Sequence, residues 1–148
     1  MVVGQAMTLS TSLPDADVRD TGTAKGRGVY ALRAYANDEL VEACPVLLLC
    51  SPFAALPIEL KTIVFDWMVL AQVPGAWAIP LGYGSLYNHD NPANLRYRAK
   101  PLEGLLLFIA ARDIALGEEL TINYNARGGD NEWHANNWFE GNRVEILP

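Results

Sequence analysis

Apolar residues fall along this chain in short blocks separated by polar stretches rich in glycine and asparagine, a spacing that predicts strands more than helices. The first block, Val29 to Ala34, is entered from the turn-like T-G-T-A-K-G, and a second strand is expected over Leu40 to Leu49 after the polar turn A-Y-A-N-D-E. Trp77 to Leu81, Leu95 to Arg98, Leu105 to Ala111 and Glu119 to Tyr124 have the same character. One segment differs. From Pro57 onward, Leu60, Ile63, Val64, Trp67, Met68 and Ala71 recur three and four residues apart, which predicts a single helix ended by Val73 to Gly75. Several short strands with one helix predict a mainly β, β-rich α+β domain rather than alternating β-α units. Met1 to Lys25 reads as a polar lead-in, and the chain beyond Tyr124 as a polar tail carrying Trp133, Trp138 and Phe139.

With 148 residues the chain is expected to form one domain over residues 1–148. No apolar run approaches the length of a membrane span, and the first residues lack the basic start and apolar core of a secretory signal. The expectation is a soluble protein, cytoplasmic in a bacterium and nuclear or cytoplasmic in a eukaryotic or viral setting. Seventeen acidic against eleven basic residues leave a net charge of -6. That balance argues against broad phosphate contacts and favours a basic peptide over nucleic acid as partner. Cys44 and Cys50 lie in one apolar run; in an extended strand six residues span roughly 20 Å, too far to bridge, so both are expected to be reduced core residues. Two cysteines and two distant histidines do not make zinc-site spacing, and no metal is expected.

Three separated pieces concentrate backbone-permissive and hydrogen-bonding residues. K-G-R-G-V-Y-A, Lys25 to Ala31, has paired glycines that let backbone approach a ligand, but it lacks the third glycine and following helix of a dinucleotide fingerprint. G-Y-G-S-L-Y-N-H-D-N-P-A-N, Gly82 to Asn94, offers Asn88 and His89 to a polar ligand; as a bare turn, its Asn and Asp side chains would bond locally to backbone. It also holds Ser85, His89 and Asp90, the residue types of a hydrolytic triad. G-Y-G-S-L is not a nucleophile elbow, however, and three members within six residues would rarely converge. The third piece, G-E-E-L-T-I-N-Y from Gly117 to Tyr124, is a turn followed by an alternating strand that ends on a tyrosine.

In this order and spacing the three pieces resemble the motifs of the SET-domain protein lysine methyltransferases: the N-terminal G-x-G, the N-H-S-x-x-P-N and the G-E-E-L-x-x-x-Y. The likeness covers about Lys25 to Tyr124 and is especially near to small viral and bacterial SET proteins. It implies several small sheets with a knot-like threading of the chain near Tyr124, and a tail over 125–148 that closes the site. It also implies S-adenosylmethionine as cofactor, bound around Arg27, Gly28, Asn88, His89, Tyr124 and Trp133. Tyr124 would be the catalytic hydroxyl, with Tyr83, Tyr87 and Trp67 along the substrate channel and the helix around Phe65 and Trp67 flanking the peptide groove. The substrate implied is a lysine-bearing protein, histone-like or ribosomal, and small relatives can form homodimers. Two positions depart from the motif: Asp90 replaces a small residue, and Pro92 comes one place early while Asn94 keeps its offset from Asn88. These departures motivate an alternative in which the chain is a non-catalytic peptide- or cofactor-binding module.

Overall fold

The computed structural model describes residues 10–133. β1 (Ala16–Asp20) and β2 (Arg27–Ala31) form an antiparallel hairpin with Val18 opposite Val29. The chain between them turns through Gly22 and Gly26, both at positive φ, and Thr21 closes the turn by donating its amide and its hydroxyl to the Gly26 carbonyl. β1 was not expected from the sequence. Its A-D-V-R-D pattern is polar and its residues are exposed or half-buried, as suits a sheet edge that needs little apolar surface.

Two sheets carry the fold. The five-stranded one, antiparallel throughout, has the order β4 (Phe65–Asp66), β5 (Trp77–Pro80), β3 (Leu40–Leu49), β8 (Leu105–Ala110), β7 (Leu95–Lys100). β3 is long enough to serve two partners: its first half pairs with β8 and its second half with β5. All six residues of β8 are buried, so that strand reads as a continuous apolar run, L-L-L-F-I-A. A register shift between Leu40 and Glu42 turns part of β3 relative to β8. Cys44, in this part of the strand, is buried as expected. Cys50 lies just past the strand and is exposed, which corrects the expectation of a core position; both thiols are free.

The second sheet has the order β1-β2-β9 (Glu119–Ile122)-β6 (Asn88–His89). β9 runs antiparallel to β2, with Val29 opposite Leu120, and parallel to β6, with Asn88 opposite Thr121. Each of the three sequence pieces thus contributes one strand to the same small sheet. Beyond β9 the chain runs back beside residues 91–97: the Tyr97 amide donates to the Gly129 carbonyl and the Ala93 amide to the Asn131 carbonyl. Gly129 is required there. Its φ is +93°, and an added Cβ would lie 2.0 Å from the Tyr97 carbonyl oxygen.

The single helix expected from Pro57 is two short helices, α1 (Ile58–Lys61) and α2 (Trp67–Ala71), with β4 between them. Thr62, Ile63 and Val64 are β-branched and poor helix formers, and Phe65 and Asp66 find a stronger partner in β5, opposite Ala78 and Trp77. Asp66 then caps α2 by accepting the Val69 amide at 3.3 Å, and Gln72 ends it in the left-handed region.

Candidate active site

Tyr124 stands two residues past β9 and is held at both ends by the Tyr87–Asn88–His89 stretch. Its amide donates to His89 Nδ1 at 3.1 Å, and its hydroxyl donates to the Tyr87 carbonyl at 2.5 Å. An imidazole nitrogen that accepts an N–H must be unprotonated, so the His89 ring is neutral with its proton on Nε2. Burial lowers the His89 pKa, the Lys25 ammonium lowers it further, and Asp90 opposes both. Outward, His89 offers its carbonyl, which accepts the Lys25 ammonium at 2.7 Å.

The Asn88 side chain does not reach outward either. Its Nδ2 donates to the Arg27 carbonyl at 2.8 Å and to Glu119 Oε2 at 2.7 Å, clipping β6 to β2 across the intervening β9. Gly28 keeps space beside this clip: a Cβ on it would lie 2.6 Å from Glu119 Oε2 and would push that carboxylate aside. Asn94 repeats the device. Its Oδ1 accepts the Thr121 amide at 2.8 Å and its Nδ2 donates to the Glu119 carbonyl at 2.7 Å, so a side-chain amide stands where the peptide group of a neighbouring strand would. The two motif departures are absorbed nearby. Asp90 is exposed and accepts the Asn91 amide, and Pro92 follows a cis peptide bond. Asn91 then brackets Trp133, accepting its amide at 3.2 Å and donating to its carbonyl at 2.9 Å. Among the described residues the buried Trp133 indole Nε1 has no hydrogen-bond partner; Trp138 and Phe139 lie outside them.

A cleft of about 610 Å³ is lined by Phe65, Ser85, Tyr87, Tyr97, Ile122 and Tyr124 among others. Phe65 and Tyr97 meet edge to face with ring centroids 5.0 Å apart. Asp66 and Arg127, an ion pair, both line it and tie the α1–α2 segment to the chain after Tyr124. Arg27, Gly28, Asn88, His89 and Trp133 do not line this cleft; Tyr124 alone belongs to both groups. Of the expected channel residues, Tyr87 is in the wall. Tyr83 is half-buried outside it, and Trp67 is in the hydrophobic core. Sequence reasoning missed Tyr97 and Arg127, which have no local signal, Ile122, which lies inside the third motif, and Glu42, which had a signal of its own: a lone carboxylate inside an apolar strand. Ser85, His89 and Asp90 do not assemble a triad, since Ser85 Oγ donates to the Pro80 carbonyl and His89 Nδ1 is taken by Tyr124. Among the described residues no group of three or more His, Cys, Asp or Glu is placed to hold a metal ion.

A family model described as SET domain matches residues 26–125, well over half of the chain, and spans all three motifs. The chain belongs to the SET-domain family. Over 133 residues this SET domain is 29% identical to "Histone-lysine N-methyltransferase, H3 lysine-37 specific" of Schizosaccharomyces pombe, covering 86% of this chain and 82% of that protein. Among solved structures it is similar to a Plasmodium falciparum protein described as a histone methyltransferase, with a TM-score of 0.61 at 22% identity, covering 78% of this chain and 96% of that one. A chain of a ctPRC2 structure gives a TM-score of 0.59 at 18% identity, covering 82% of this chain and 16% of its own. At these identities the two structures show a shared fold alone, and the strand-rich architecture agrees with the SET domain that the family model identifies.

Proposed function

We propose that this SET domain is a protein-lysine N-methyltransferase that transfers a methyl group from S-adenosylmethionine to a lysine side chain of a basic, histone-like protein. The observation that carries this reading is the placement of Tyr124: its backbone is bound into the sheet built from the three motifs, while its ring and hydroxyl form part of the wall of an aromatic cleft. One residue therefore touches both a cofactor-side framework and a substrate-side channel.

The residues present fit such a cofactor. The His89 carbonyl already holds a charged nitrogen at 2.7 Å, and the Trp133 Nε1 is a buried donor with no acceptor among the described residues. Carbonyl oxygens and the Tyr124 ring favour a cationic ligand. When bound, the cofactor supplies an electrophilic methyl on a positively charged sulfur. The chain's own contribution is to present a neutral, aligned amine. Apolar walls disfavour the ammonium form of an entering lysine. Burial, with a smaller contribution from the Glu119 charge, pushes the Tyr124 hydroxyl up to about 12, so it stays protonated and does not act as a base. Because that hydroxyl donates to the Tyr87 carbonyl, its lone pairs are left to accept an amine N–H, which fixes where the nitrogen lone pair points.

Purified protein with isotope-labelled S-adenosylmethionine and core histones should label histone lysines, and Tyr124→Phe should lower kcat about 10- to 100-fold while the cofactor Kd measured by calorimetry stays within about threefold. Cofactor binding without any protein methylation would instead favour a binding module. Full activity in Tyr124→Phe removes that residue from the chemistry, and absence of cofactor binding rejects the reading as a whole.

A further inference from the structure

Glu42 is the one acidic residue of β3 and is fully buried, at 0% exposure. A carboxylate in such a place is costly unless its oxygens are satisfied. Here both are: Oε1 accepts the Tyr87 hydroxyl at 2.6 Å and Oε2 accepts the Tyr83 amide at 2.8 Å. Gly82 leaves room for it. Its φ is +83°, and an added Cβ would lie 2.5 Å from Oε2. The register shift just before Glu42 sets it opposite Phe108, whose ring lies 4.9 Å from that of Tyr87. Glu42 does not line the aromatic cleft, yet it grips both ends of the segment that does. The Tyr87 side chain hangs on Glu42 while the carbonyl of the same residue receives the Tyr124 hydroxyl.

We propose that Glu42 is a positioning residue for Tyr124: its carboxylate anchors Tyr87 and the Gly82–Tyr83 backbone, and through them holds the Tyr87 carbonyl where it fixes the Tyr124 hydroxyl. Its catalytic consequence rests on the methyltransferase reading above. A glutamine could keep the arrangement, its carbonyl accepting the Tyr83 amide and its amide donating to the Tyr87 oxygen. A leucine of similar size has neither group.

The test uses the full chain with Tyr87→Phe, Glu42→Gln, Glu42→Leu, Tyr124→Phe and the double variant Tyr87→Phe/Tyr124→Phe. Tyr87→Phe deletes only the anchored hydroxyl and leaves the carbonyl in place, so it serves even if Glu42→Leu fails to fold. It should lower kcat about tenfold with cofactor KM within about twofold, and it should add no further loss in the Tyr124→Phe background. Glu42→Gln should recover most of what Glu42→Leu loses. Independently of turnover, the 13Cζ resonance of labelled Tyr124, assigned with Tyr124→Phe, should move in Tyr87→Phe and stay near wild type in Glu42→Gln. A Tyr124 resonance unmoved by Tyr87→Phe, or kcat losses that multiply in the double variant, overturns the proposal. If the wild type methylates nothing, the methyltransferase reading fails on its own, and the resonance still decides whether Glu42 positions Tyr124.

Discussion

His89 serves this molecule as an acceptor. Its ring is buried, its Nδ1 takes the Tyr124 amide, and both burial and the Lys25 ammonium depress its pKa. The folded state therefore prefers neutral His89, whereas the unfolded chain takes up a proton near pH 6.5. The resulting stability is present above pH 6.5 and is lost as the pH falls through that value toward the lower folded pKa. Glu42 shifts in the opposite sense: burial raises its carboxyl, outweighing the bonds from Tyr87 and Tyr83. A comparison that isolates His89 must therefore leave Glu42 intact. His89→Asn does so, since the asparagine Oδ1 can replace Nδ1 as acceptor. Urea unfolding should find this variant about 1–2 kcal/mol less stable at pH 7.5 from lost ring packing. Between about pH 7.5 and 5.5 it should lose less stability than the wild type. Equal acid sensitivity in the two proteins would show that His89 does not titrate in this window.

At the scale of elements, the strands that bury a face were legible, and the exposed β1 and the two-residue β6 were not. β8 shows in the sequence because a strand covered on both sides must be apolar along its length, and β3 because most of its residues are apolar although Leu40, Leu47 and Leu48 are exposed. β6 has two residues and pairs in parallel with β9; no alternation can reveal it, and it was reached only through the motif to which Asn88 and His89 belong. The α1–α2 segment misled for the converse reason, because its three- and four-residue spacing is real but pairing of Phe65 and Asp66 with β5 prevails over it. Of the site, the motif residues could be found and Tyr97 and Arg127 could not, since their place in the cleft depends on how distant segments pack. Asn94 shows what joins the motif elements. Removing its amide leaves the Thr121 amide and the Glu119 carbonyl of β9 unpaired in a buried setting. Asn94→Ala should therefore cost about 2–4 kcal/mol in chemical denaturation, with faster hydrogen exchange at the Thr121 amide. A loss below about 0.5 kcal/mol would mean that water replaces the side chain without penalty.

The whole molecule adds a long-range contribution that no single contact supplies. The chain carries a net charge of -6, whereas the charged residues lining the aromatic cleft, Lys61, Asp66 and Arg127, hold no excess of negative charge. On the proposed reading, attraction of a basic peptide would come from the summed field of the chain, and the cleft would select an uncharged amine once it arrives. The two stages respond differently to salt. Screening shortens the field to about 10 Å at 0.1 M and about 3 Å at 1 M, whereas contacts inside the cleft are shielded from it. S-adenosylmethionine, the proposed methyl donor, carries one net positive charge against the several of a basic peptide, so the same field steers it far less. If lysine methylation of a basic peptide is the reaction, kcat/KM for that peptide should fall about 3- to 10-fold between roughly 50 and 500 mM salt. Over the same range kcat at saturating peptide and the cofactor Kd should each change by less than about twofold. A peptide with its flanking arginines and lysines replaced by glutamine should start at the lower kcat/KM and lose the salt dependence. Should the basic and neutral peptides respond to salt alike, recognition would lie in the cleft contacts, and the acidity of the chain would have no part in choosing its substrate.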